Sequence, residues 1–129
     1  MSARHASRLG ACLLAAVSLA AAGCGALPPE APLAYAKKLD AATGGISTAC
    51  GEAYRVQAFP NARTARDLHK LELAVSSDVS KLAGVFHRNR KWIYQGDTIA
   101  EISSDAVSML HDCGLHGAAE QLKKATTAS

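Results

Sequence analysis

The side chains able to do chemistry are few and scattered. Beyond the first two dozen residues the chain holds four histidines, His69, His87, His111 and His116, and two cysteines, Cys50 and Cys113. The run His111-Asp112-Cys113-Gly114-Leu115-His116 gathers metal-ligand types within six residues, and thiolate and imidazole are the ligands zinc takes most readily. A spacing of five, however, sets the two histidines about 140° apart on a helix. Gly114 stands where a helix would end between them, and neither His-Glu-x-x-His nor paired Cys-x-x-Cys occurs. No metal residue is expected. Nor does the chain carry a serine nucleophile elbow, a Ser-x-x-Lys, or a phosphate-binding glycine loop. Its carboxylates stand singly on polar helix faces, the solvated pattern. No catalytic residue and no cofactor are expected.

One surface feature stands out. His87-Arg88-Asn89-Arg90-Lys91-Trp92-Ile93-Tyr94 sets three permanent positive charges beside the single tryptophan and a tyrosine. Arg88, Arg90, Lys91, Trp92 and Tyr94 form a candidate interaction patch. Anionic headgroups would take the charges while the rings rest at the interface. A protein partner would use the same residue types as anchors. Alternatively, Trp92 and Ile93 cap the core and the cations favour a helix carboxyl end.

The chain has 129 residues, room for one domain, and 14 basic against 11 acidic side chains. Arg4 and Arg8 lie in the leader, so the remainder carries twelve against eleven. Nucleic acid, which needs a clustered basic surplus, is not expected as a partner.

The elements that would position these residues begin with that leader. Met1 to Arg8 has two arginines and no acid, and Leu9 to Ala22 is uncharged and apolar. As a helix the 14 apolar residues would reach about 21 Å, short of the roughly 30 Å hydrocarbon core of a bilayer. A secretory signal fits better than a membrane span. The stretch Leu19-Ala20-Ala21-Ala22-Gly23-Cys24 resembles the lipobox of bacterial lipoprotein precursors, with Ala21 where leucine is commonest in that class. The resemblance covers only residues 1–24 and extends to no family for the rest. It implies a signal peptide over 1–23, cut before Cys24, and a diacylglyceryl group on the Cys24 sulfur, whose thiolate is the nucleophile. Acylation of the new amino terminus follows in many members. Cys12 has a similar context, Leu9-Gly10-Ala11-Cys12, but no apolar core precedes it. Residues 24–33 then read as the lipidated cysteine and a proline-stiffened tether; Gly25 to Pro32 would extend roughly 25 Å.

From residue 34 to 129 the pattern is that of a helical domain. Tyr35, Leu39, Ala42, Ile46, Cys50 and Ala53, with Val56, recur at helical spacing. Gly44-Gly45 sits mid-segment, where each glycine costs about 1 kcal/mol against alanine, so a kink or a break is open there. Leu68, Leu71, Val75, Val79, Leu82 and Phe86 form a second stripe, from about Ala62 to Asn89 or as far as Ile93. Gln95-Gly96-Asp97 marks a turn, and Thr98 to Glu101 fits a capping box. The third stripe is Ile99, Ile102, Ala106, Met109 and Cys113, ended by Gly114. A short last helix offers Ala118, Leu122 and Ala125. The expected fold is all-α, a small bundle of three main helices plus a short C-terminal helix, stapled by a disulfide. Exported thiols meet an oxidising space, and Cys50 and Cys113 fall in phase with core-facing stripes. A bridge between them closes a loop of about 64 residues, worth roughly 4 kcal/mol in the chain-entropy account.

The reading these observations imply is a cell-envelope lipoprotein: a non-enzymatic binding or accessory module on the extracytoplasmic face. It would be held to the plasma membrane of a Gram-positive cell or the outer membrane of a Gram-negative one. Its partners would be the membrane, through the anchor, and an envelope protein. The alternative is a carrier of a small ligand or metal with a cavity between helices.

Overall fold

The computed structural model describes residues 27–127; the leader, Cys24 and the first tether residues lie outside them. Helix α1 spans Leu33–Ala58 and α2 spans Thr64–Asn89. A small hairpin follows, β1 Ile93–Tyr94 and β2 Asp97–Thr98, leading into α3, Ile99–Asp112, and α4, His116–Thr127. Two long and two short helices thus replace the expected three main helices plus a short one. None of the described helices is long and apolar enough to cross a membrane.

Helix α1 runs unbroken through Gly44 and Gly45. The reason lies in its neighbour. A Cβ on Gly45 would fall 2.2 Å from Oδ2 of Asp78 on α2, so glycine leaves room for the Asp78 carboxylate against α1. At Gly44 a Cβ would meet nothing within 4 Å. The packing of α1 along α2, the most extensive contact in the fold, offsets the propensity cost of the pair.

Between α1 and α2 the chain turns at Asn61, whose Oδ1 accepts from the Arg63 amide at 2.8 Å while its own amide donates to Thr64 Oγ1 at 2.8 Å. Helix α2 stops at Asn89. The hairpin pairs Ile93 with Thr98 and Tyr94 with Asp97, antiparallel. Its two-residue loop has φ of 50° at Gln95 and 87° at Gly96, the mirror-image turn whose twist suits tight hairpins. The predicted turn is therefore the tip of a short ladder.

A third segment joins that ladder. Glu30 forms a parallel bridge to Ile93; the Ala31 amide donates to the Ile93 carbonyl at 2.8 Å, and the Ile93 amide to the Pro29 carbonyl at 2.9 Å. The tether expected over 24–33 is thus docked from Pro29 to Ala31, and Leu33 already belongs to α1. Backbone pairing replaces solvent for groups that a proline-rich spacer would leave to water.

The capping box at the start of α3 is present as expected: Thr98 Oγ1 accepts from the Glu101 amide at 3.1 Å, and Glu101 Oε1 from the Thr98 amide at 3.0 Å. At the far end Gly114 has φ of 91°, the left-handed geometry that ends the helix. Helix α4 then folds back against α3 and α2.

The core gathers Leu39, Ala42, Ile46 and Ala53 of α1 with Val75, Val79, Leu82 and Phe86 of α2, as their spacing predicts. The third stripe is rotated. Leu110 is fully buried while Met109 is 43% exposed, and Ile102 is half-buried where Ser103 is buried. Return of α4 over α3 buries the arc through Ile99, Ser103, Ala106, Leu110 and Cys113. Leu115 and Ala119, absent from the predicted stripes, complete that layer. Cys50 and Cys113 are both buried and bridged, with Cα atoms 5.4 Å apart and a sequence separation of 63, so the staple joins α1 to the end of α3.

Candidate functional site

Four contacts that stripes alone do not reveal hold the frame around any site. Glu72 of α2 accepts from the Ala118 amide at 3.1 Å, placing a carboxylate at the amino end of α4, where the helix dipole favours negative charge. Gly117 lets it approach, since a Cβ there would sit 2.5 Å from Glu72 Oε2. Gln57 donates to the Cys113 carbonyl at 2.7 Å beside Gly114. His87 bonds the Ala125 carbonyl near the carboxyl end of α4. The carboxylates predicted to stand singly in solvent therefore include two, Glu72 and Asp78, that pack against backbone of a neighbouring helix.

The histidine pair set aside on helical spacing is brought together. Gly114 reverses the chain, and His111 Nδ1 lies 3.0 Å from His116 Nδ1, while His111 Nε2 lies 3.0 Å from Glu120 Oε2. The angle of 140° presumed a continuous helix, which the turn at Gly114 removes. The network joins the end of α3 to α4, with His116 and Glu120 exposed and His111 half-buried, and among the described residues no group of three or more His, Cys, Asp or Glu side chains is arranged to hold a metal ion.

The predicted interaction patch divides. Arg88, Arg90 and Lys91 are exposed. Trp92 and Tyr94 are half-buried and packed against the core, so the rings serve first as the cap over this end of the bundle. The Trp92 ring lies 5.0 Å from that of Tyr35 on α1. The loop is also tied by its backbone, with the Ile99 amide donating to the Trp92 carbonyl and the Ala100 amide to the Arg90 carbonyl, both at 3.0 Å. This end is therefore tied at several points, and its cations project from that base.

Around Tyr35 the charges converge. Lys38 Nζ lies 5.4 Å and the Arg88 guanidinium carbon 5.7 Å from the Tyr35 ring centroid, a separation at which a ring face attracts a cation. Tyr35, Lys38, Lys81 and Arg88 border a groove of about 580 Å³ between α1 and α2, with Ser77, Ser80 and Gly84 along its α2 wall. A shallower hollow of about 430 Å³ adjoins Asn89, Arg90 and Lys91. Among the described residues none of Lys38, Lys81 and Arg88 is in an ion pair; those found are Arg55 with Glu52 and His111 with Glu120. Asp78, the one acid among residues 77–89, is turned against Gly45. Three cations and two hydroxyls thus face one groove with no carboxylate of that stretch directed into it. Sequence reading finds Arg88 through its basic run. It misses Lys38, Lys81 and Tyr35, which lie far from it in the chain.

The arrangement offers hydrogen-bond donors and positive charge on one groove. The chain matches no protein-family model, and neither the curated proteins nor the solved structures give a match.

Proposed function

We propose that the chain is the precursor of a cell-envelope lipoprotein, cleaved before Cys24 and held by a diacylglyceryl group on that cysteine, whose helical domain serves as a non-enzymatic binding or accessory module at the membrane surface. The observation that carries the reading is the run Leu19 to Cys24, small residues leading to a cysteine directly behind an uncharged apolar stretch. A second observation supports it: a disulfide between buried Cys50 and Cys113 suits an oxidising compartment. The pairing of Pro29–Ala31 with Ile93 supports it too, because it holds the segment that follows Cys24 in the sequence next to the basic run ending at Lys91. Two acyl chains, each buried methylene contributing about 0.8 kcal/mol, hold a protein stably at a bilayer.

The experiment is Cys24→Ser in the native host, with palmitate labelling and fractionation. The wild-type chain is expected to take up label and stay with the bilayer. The variant is expected to lose both label and membrane residence. A variant that matures at the same bond and remains in the bilayer fraction overturns the proposal.

A further inference from the structure

The groove between α1 and α2 has a composition that the lipid anchor alone does not explain. Lys38 on the first helix faces Lys81 and Arg88 on the second, the Ser77 and Ser80 hydroxyls lie along the same wall, and all five side chains are exposed. Tyr35 is half-buried and sits beneath two of the cations. Like charges gathered on one groove repel one another, and no acidic residue is among those that line it. Such an arrangement is stabilised by an anion that accepts from several donors at once, and phosphate oxygens do this with lysine, arginine and hydroxyl groups.

Position selects the source of the phosphate. Tyr35 lies three residues after Pro32, and the preceding Pro29–Ala31 is pinned to Ile93. The five residues from Cys24 to Pro29 reach at most roughly 15–18 Å when extended. On the reading of Cys24 as the anchor, which this step requires, the groove cannot move far from the headgroup layer. Leu27 and Leu33, 48% and 72% exposed, lie on the same short stretch. We infer that the groove bounded by Lys38, Lys81 and Arg88 binds the phosphate of an anionic phospholipid headgroup and so fixes the domain's orientation on the bilayer.

The groove supplies its own probe. A Cβ at Gly84 would meet nothing within 4 Å, and replacing a helical glycine improves helix propensity. Gly84→Glu therefore puts a carboxylate into the groove without disturbing the core, while Gly44→Glu, equally open on α1, is the control of equal charge. The full chain carrying Cys24→Ser, which cannot be acylated, is titrated with dihexanoylphosphatidylglycerol, with dihexanoylphosphatidylcholine (both below their micelle-forming concentrations) and with inorganic phosphate. Amide shifts are followed residue by residue. The expected result is saturable binding of phosphatidylglycerol, with shifts centred on Tyr35, Lys38 and residues 77–88, and at least about tenfold weaker binding of phosphatidylcholine and phosphate. Lys81→Gln and Arg88→Gln are each expected to weaken it about fivefold, the weight of one basic residue at an anionic surface. Gly84→Glu should weaken it about tenfold or more, through like-charge juxtaposition, and Gly44→Glu should leave it unchanged. Equal affinity for all three ligands, absence of shifts in the groove, or indifference to Gly84→Glu overturns the inference. Because no acyl group is present in this titration, its failure leaves the Cys24 reading standing, and failure of acylation in the host leaves the titration intact.

Discussion

Two adjacent glycines should respond in opposite directions to the same substitution. At Gly44 the added methyl group meets open space, so Gly44→Ala gains the helix-propensity difference, about 1 kcal/mol. At Gly45 the same methyl group would lie 2.2 Å from Oδ2 and 2.4 Å from Cγ of Asp78. The whole carboxylate must then swing away or the helices must part. Such overpacking costs about 1–3 kcal/mol, which cancels the propensity gain or outweighs it by up to about 2 kcal/mol. Removing the obstacle restores the gain: in an Asp78→Ala background, Gly45→Ala should stabilise as Gly44→Ala does, giving a coupling of about 1–3 kcal/mol. Urea unfolding of the four chains in the cycle, plus Gly44→Ala alone, measures it. Gly44→Ala should also raise the midpoint of thermal unfolding by about 4 °C or more in a domain of this size. The reasoning fails if Gly45→Ala stabilises as much as Gly44→Ala with Asp78 in place. It fails equally if the Asp78→Ala background leaves the effect of Gly45→Ala unchanged, because the Asp78 carboxylate would then not be what requires glycine at position 45.

Removing the bridge by Cys50→Ala with Cys113→Ala should cost about 4 kcal/mol, since it releases a loop closed between cysteines separated by 63 in sequence; chemical denaturation under non-reducing conditions reads it, and a loss below about 1 kcal/mol would show that the bridge does not restrain the unfolded chain. Thr98→Ala removes the hydroxyl that accepts from the Glu101 amide and should cost about 1 kcal/mol, with hydrogen exchange rising first in the opening turn of α3; uniform exchange across the helix would argue against it.

Much of the frame was readable from periodicity because each long helix buries one stripe. Leu39, Ala42, Ile46 and Ala53 are buried as their spacing requires, and so are Val75, Val79, Leu82 and Phe86. The capping box at Thr98 and the stop at Gly114 are local in their physics, set by hydroxyl, carboxylate and positive φ, and both appear. The third stripe shows where that logic weakens. Helical spacing fits Met109 and Leu110 about equally, and the choice belongs to α4, which folds back over Leu110. The histidine pair shows the same limit: a turn at Gly114 brings together side chains that a continuous helix would hold apart.

The candidate groove lay further out of reach. Its charges come from Lys38 on one helix and Lys81 and Arg88 on another, some forty residues or more apart in sequence. No local pattern joins them; the antiparallel packing of α1 on α2 does. Within that packing Gly45 makes room for the Asp78 carboxylate, a contact between two residues that look unremarkable in their own segments.

From the sequence alone came the helical class, the two paired cysteines, the helix stops and the expectation of an exported, lipid-modified chain, because each rests on residues near one another or on a stripe of fixed period. Tertiary structure decided the straightness of the first helix, the docking of Pro29–Ala31 on the hairpin, the partners of Glu72 and His111, and the gathering of cations around Tyr35. Those depend on which faces meet across the bundle. Spacing along one helix says which side chains share a face, but only packing between helices says what that face meets.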